Sequence, residues 1–100
     1  MANYQLSRLA EADLKEIAAS TISSWGPEQA RIYLTNLHQK MLALADNPEL
    51  GRQRDEILAG AKSFPTGKHV IFYRLSANGI EVARMLHQRM DIQTQFGDDL

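Results

Sequence analysis

The chain has 100 residues, 44% of them hydrophobic, which suits one domain around one core and leaves too little chain for a second. It contains no cysteine, so disulfides, thiolate metal sites and a cysteine nucleophile are excluded together, in keeping with a reducing cytoplasm. Its net charge of −1, from 11 Lys and Arg against 12 Asp and Glu, withholds the positive field of a nucleic-acid-binding protein, and direct sequence-specific nucleic-acid binding is not expected.

Met1-Ala2-Asn3-Tyr4 lacks the basic patch and apolar stretch of a signal peptide, and no run approaches the ~20 apolar residues of a membrane span. A cytoplasmic protein with no membrane partner is therefore expected. Residues 3–6 alternate polar and apolar, as a short strand does. Ser7 follows as a helix N-cap, its hydroxyl able to accept from a free amide of the first turn. Ala10, Leu14, Ile17, Ala18 and Thr21 then recur at helical spacing, which predicts a helix from about Arg8 to Ser23. Trp25-Gly26-Pro27 closes it and opens a second, because glycine allows a tight turn and proline suits a first helical position. The second helix carries Ala30, Tyr33, Leu34, Leu37, Met41, Leu44 and Ala45 on one face and ends at Asn47-Pro48. So short a turn makes the two helices an antiparallel hairpin with their apolar stripes turned the same way.

Residues 48–60 are rich in Gly, Pro, Asn and charge and read as a connecting loop with one helical turn. Three strand candidates follow: Ala61 to Phe64, stopped by Pro65; Lys68 to Leu75; and Gly79 to His87. Ser76-Ala77-Asn78-Gly79 joins the last two as a hairpin loop. Counting outward from that loop sets Leu75 against Ile80, Arg74 against Glu81, Tyr73 against Val82, Phe72 against Ala83 and Val70 against Met85. On this count Ile71, Tyr73, Leu75, Ile80, Val82 and Leu86 share one face, and Val70, Phe72, Ala83 and Met85 the other. A single helical hairpin covers one face of a small sheet. The other is expected to receive a protein partner across Val70, Phe72 and Met85, or else to be covered by residues 48–60 or by the segment after Met90.

Little in the chain announces catalysis. There is no GxSxG elbow and no GxGxxG or GxxxxGK[ST] loop, and the histidines lack partners at metal-ligand spacing, so no cofactor, no metal and no catalytic residue is assigned. His38 lies alone just beyond the apolar stripe of the second helix, while His69 and His87 fall on neighbouring strands. Arg84, His87 and Arg89, with Lys68 and Arg74 nearby, are a basic set able to grip a phosphodiester, although Arg74 also reads as the ordinary partner of Glu81. Arg84 falls on the inward alternation of Ile80, Val82 and Leu86, where it needs a carboxylate or an opening to solvent. Trp25 at the helix turn is either a staple of the hairpin or an exposed anchor for a partner.

WGPEQARIYLTNL at 25–37, NPELGRQRDEI at 47–57, SFPTGKHVIFYRL at 63–75 and LHQRMD at 86–91, in that order, resemble the ParE family of toxins in the ParE/RelE superfamily. The resemblance runs from about Tyr4 to Asp91. It implies an α+β fold of order β-α-α-β-β-β, with an antiparallel helical hairpin on a small, mainly antiparallel sheet. It also implies a ParD-like antitoxin that wraps the toxin in a hetero-oligomer, and poisoning of DNA gyrase by protein–protein binding. RelE-type relatives share the fold and cut ribosome-bound mRNA, with a basic cluster and commonly an aromatic or general base near the C-terminus. Here the last tyrosine is Tyr73 and the tail carries Phe96 and acids, which favours gyrase, with an mRNA endoribonuclease or a non-toxic, antitoxin-binding paralogue as the alternatives. The residues expected to meet antitoxin or gyrase are Trp25, Val70, Phe72, Arg74, Arg84, Met85, His87, Arg89, Met90 and Asp91.

Overall fold

The structure, a computed structural model, describes residues 2–90. Its elements are β1 (Asn3–Leu6), α1 (Arg8–Trp25), α2 (Pro27–Asp46), a 3-10 turn (Pro48–Leu50), β2 (Arg52–Gln53), β3 (Lys62–Thr66), β4 (His69–Ser76) and β5 (Gly79–His87). The five strands form one sheet in the order β1-β5-β4-β3-β2, with β1 parallel to β5 and the other neighbours antiparallel. This is the expected α+β arrangement with one addition. Residues 48–60 hold a 3-10 turn and also a two-residue strand, β2, on the far edge of β3.

The stripes behave as their spacing requires. Ala10 and Ile17 of α1 and Ala30, Leu37, Met41, Leu44 and Ala45 of α2 are buried, and most of them form one cluster with Ile71, Tyr73, Ile80, Val82 and Met85 of the sheet. Ser7 caps α1 by accepting from the Ala10 amide at 3.0 Å. Gly26, at φ +90, makes the turn into α2. β3 runs through Pro65 to Thr66, past its expected end, because β2 pairs only with Lys62 and Ser63 and leaves the rest of β3 an edge, where proline is tolerated.

The β4–β5 register begins as counted, with Leu75 facing Ile80, Arg74 facing Glu81 and Tyr73 facing Val82. It then slips: Phe72 faces Arg84, Ile71 faces Met85, Val70 faces Leu86 and His69 faces His87, leaving Ala83 as the extra residue of a bulge. The pairings Phe72–Ala83 and Val70–Met85 are thereby corrected. The extra residue reverses the alternation, so Met85 turns into the helix-side core while Leu86 joins Phe72, Val70 and Ala83 on the opposite face.

Of the two outcomes expected for the opposite face, cover by residues 48–60 is the one found at its centre, in place of an exposed patch over Val70, Phe72 and Met85. Phe72 and Leu86 are both only 1% exposed, with Ile57 from the 48–60 segment packed against them. The Arg54 guanidinium lies over the Phe72 ring at 5.7 Å and donates to the Ser63 hydroxyl at 3.2 Å. The segment is anchored from the other side of the sheet as well, since the Tyr73 hydroxyl donates to the Pro48 carbonyl at 2.6 Å and a Cβ on Gly51 would collide with that hydroxyl.

Arg84 has the carboxylate partner its position demanded. The bulge carries it off the helix-facing row, and its Nε and Nη2 donate to the two Asp13 oxygens at 2.8 and 2.9 Å, each side chain being 14% exposed. Asp13 Oδ2 also accepts from the Met85 amide at 3.0 Å. A partly buried bidentate pair that also satisfies a backbone donor is costly to break from one side, at roughly 3 kcal/mol, whereas exposed pairs such as Glu28–Arg31 are worth about 0–1 kcal/mol. Asp13→Ala is therefore expected to lower unfolding stability by about 3 kcal/mol and Arg31→Ala by less than about 1, read from urea midpoints at unchanged slope. Equal effects would show that the ion pair does not hold α1 to the sheet.

Candidate functional site

An open cleft of ≈ 780 Å³ lies where four pieces of chain converge: the last turns of α1 (Ile17, Ser20, Thr21, Ser24, Trp25), the start of α2 (Gln29, Tyr33), the β3–β4 turn (Gly67, Lys68, His69) and the end of β5 (His87). The turn is two residues long, closed by the Thr66–His69 pair, and Gly67 takes φ +59 with the Tyr33 ring pressed so close that a Cβ there would meet it at 2.6 Å. Glycine is needed at that point for both reasons. The close approach brings Lys68 and His69 to Tyr33.

Tyr33 organises the interior. Its hydroxyl accepts from the Lys68 backbone amide at 3.1 Å, lies 2.6 Å from His69 Nδ1 and is 3.4 Å from the Thr66 carbonyl. Burial raises the Tyr33 pKa, and the Lys68 amide opposes that shift. His69 and His87 stand edge to face with ring centroids 5.4 Å apart, as their facing positions on β4 and β5 dictate. The His69 pKa is lowered, first by burial and then by the neighbouring His87, with Asp13 pulling it upward and Lys68 adding the smallest effect, a further lowering. The Lys68 ammonium sits 5.3 Å from the Trp25 ring centroid, and Trp25 is 65% exposed at the mouth of the cleft. Trp25 is thus an exposed aromatic and not an internal staple.

The expected contact residues scatter. Trp25 and His87 line the cleft. Phe72 and Met85 are buried in the two opposite cores, and Val70 is half-buried beside Phe72. Arg74 pairs with Glu81 at 3.2 Å on the exposed rim of the hairpin, and Arg89 and Met90 are exposed just past β5. Asp91 lies outside the described residues. The trio Arg84, His87 and Arg89 is not gathered in one cleft, because Arg84 is bound to Asp13 and neither arginine lines the cleft beside His87. Tyr33, Lys68 and His69 are the residues the sequence reading left out of the site, although the facing of two histidines on adjacent strands was a usable signal. His38 is not alone either: its Nδ1 meets the Tyr4 hydroxyl at 2.6 Å. Among the described residues no group of three or more His, Cys, Asp or Glu is placed to hold a metal, and no helix is long and apolar enough to cross a membrane.

The lowered His69 pKa sets a pH dependence. Unfolding returns His69 toward its ordinary value of 6.5, so between the two values the unfolded chain binds a proton that the folded one refuses. Stability present above that value is lost as pH falls through the folded pKa. His69→Gln removes this contribution, so the drop in urea midpoint between about pH 7.5 and about pH 5.5 is expected to be smaller in the variant than in the parent. Parallel midpoints would show that His69 titrates alike in both states.

The model of the family described as "ParE toxin of type II toxin-antitoxin system, parDE" matches residues 4–92. Toxin ParE1 of Mycobacterium tuberculosis is 44% identical over 90 residues, covering 89% of this chain and 92% of the relative. Toxin ParE1 of Caulobacter vibrioides is 36% identical across 97% of this chain and all of the relative, and Toxin ParE of Escherichia coli is 32% identical across the whole chain and 98% of the relative. Among solved structures, the chromosomal ParDE system of P. aeruginosa aligns with a TM-score of 0.71 at 20% identity, covering 87% of this chain and 96% of that one. The RelBE2 toxin–antitoxin complex of Mycobacterium tuberculosis aligns at 0.58 and 17% identity, covering 87% of this chain and 98% of that one. Two helices on a five-stranded mixed sheet are common to these folds, and sequence and fold agree: the chain belongs to the ParE family of toxins of type II toxin–antitoxin systems.

Proposed function

We propose that this ParE-family toxin acts in the cytoplasm by binding DNA gyrase, without chemistry of its own, and that a ParD-like antitoxin silences it in a hetero-oligomer. The observation that carries the reading is the family match over residues 4–92, joined to relatives named as ParE toxins along nearly their whole lengths. An unoccupied sheet face does not support it, since Phe72 and Leu86 are covered by the chain itself. Support from surface chemistry comes instead from the helical hairpin, which exposes Leu9, Ile22, Trp25 and Ile32, and from Arg89 and Met90 beyond β5. A ribonuclease built on Arg84, His87 and Arg89 loses its footing because the Arg84 guanidinium is engaged by Asp13.

The purified chain is expected to inhibit supercoiling by gyrase with accumulation of cleaved DNA, to leave translated mRNA uncut in primer extension, and to arrest growth when induced without antitoxin. Unimpaired supercoiling at saturating protein removes the gyrase target, and codon-positioned cuts would replace it with the ribosome. The product of an adjacent open reading frame is expected to co-purify and to reverse the inhibition.

A further inference from the structure

We propose that the cleft beneath Trp25 is a carboxylate-binding pocket that takes an acidic side chain, flanked by an apolar residue, from the antitoxin. This rests on the antitoxin reading above and adds to it a site and a recognition chemistry.

The lining of the cleft is one-sided in charge. Among the described residues its titratable groups are Tyr33, Lys68, His69 and His87, with no Asp or Glu in the lining. Lys68 has no carboxylate partner among the described residues; its ammonium is held against the Trp25 ring, a contact that leaves its N–H bonds unsatisfied.

The imidazole protons can be placed from the hydrogen bonds. The Arg89 backbone amide donates to His87 Nδ1 at 3.1 Å, so that nitrogen is the acceptor and the proton of the neutral ring is on Nε2. Tyr33 already accepts from the Lys68 amide, and of its two possible acceptors His69 Nδ1 at 2.6 Å is far nearer than the Thr66 carbonyl at 3.4 Å. Its proton therefore goes to His69 Nδ1, which puts the His69 proton on Nε2 as well. Two N–H donors and one ammonium remain without acceptors among the described residues.

A lone full positive charge with two neutral donors suits a monoanion such as a carboxylate. A phosphate group would favour the bidentate fork of an arginine, and no arginine lines the cleft. The open mouth, with Trp25 65% exposed on its rim and Ile17 in its lining, suits an extended segment crossing it more than an enclosed small molecule.

The test measures affinity for the co-purifying antitoxin by calorimetry, using the parent chain, Lys68→Ala, Lys68→Arg and, as a control away from the cleft, Lys15→Ala. Lys68→Ala is expected to weaken binding by about tenfold or more and to flatten its salt dependence, with Lys68→Arg retaining most of the affinity and Lys15→Ala unchanged. Tight binding of the antitoxin with no loss in Lys68→Ala overturns the pocket and leaves the antitoxin reading standing, whereas no binding by the parent chain overturns the antitoxin reading and the pocket's stated occupant with it. The pocket is then read directly by nitrogen NMR of the histidine rings. The blocked peptide acetyl-Asp-Leu-Phe-Glu-amide is expected to move the His69 and His87 Nε2 signals, and its Asn/Gln counterpart to leave them in place. Response to inorganic phosphate but not to the acidic peptide overturns the carboxylate assignment. An Asp98→Asn, Asp99→Asn chain that binds the peptide about tenfold more tightly than the parent would assign the cleft to the protein's own acidic residues and overturn the proposal.

Discussion

The irregularity in β5 at Ala83, and the two side chains of α1's first turns that hold it, set the rest of the molecule. Ser7 accepts from the Ala10 amide and donates to the Ala83 carbonyl at 2.7 Å, while its own amide donates to the Val82 carbonyl at 3.0 Å. Nearly two turns further on, Asp13 takes the Arg84 guanidinium and the Met85 amide together. The start of the helix thus completes the backbone pairing of β5 beyond Val82, where β1 has ended, and among the described residues no buried side-chain polar atom is left without a partner. Without the extra residue Met85 would leave the helix-side core and His69 would no longer face His87.

The same slip ties stability to the cleft. His69 and His87 are neighbours because the strands are offset by one residue beyond Phe72, and His69 is oriented by Tyr33 because Gly67 lets the β3–β4 turn press against α2. The two helices contribute to both ends of this arrangement: their apolar stripes fill the core, and the turn between them presents Trp25 to Lys68. Charges are divided accordingly. Arg84 and Asp13 neutralise each other at the edge of β5, whereas Lys68 and the two imidazoles are gathered with no acid of the described residues among them.

Much of the fold could be read from the sequence because its signals are local. The helix stripes, the Ser7 cap, the Gly26-Pro27 turn and the full extent of β5 follow from spacing and from residues with special backbone preferences. What escaped depended on contacts between distant segments. Four residues of alternation cannot say that β1 pairs in parallel with β5, a two-residue β2 has no period at all, and Pro65 reads as a stop unless its strand is known to be an edge. A bulge has no composition of its own, so the count beyond Tyr73 was bound to place Met85 and Leu86 on exchanged faces. The site suffered most, since Phe72 and Met85 counted as surface are interior, and Tyr33 and Lys68 are brought to the histidines by a turn whose tightness only the packing reveals. The carboxylate demanded by Arg84 was legible as a need; its identity, 71 residues away at Asp13, was not.

The pairing of β1 with β5 has a further bearing on how such a protein comes into being. Residues 3–6 are made before residues 79–82, yet the two segments are sheet neighbours, so β1 waits for β5 before this part of the sheet can close. The helical hairpin, built from contacts close in sequence, forms on its own schedule and holds its greasy stripe ready in the meantime. The surface that β1 and β5 build together is thus completed in a single closing step, with the helices already in place to receive it.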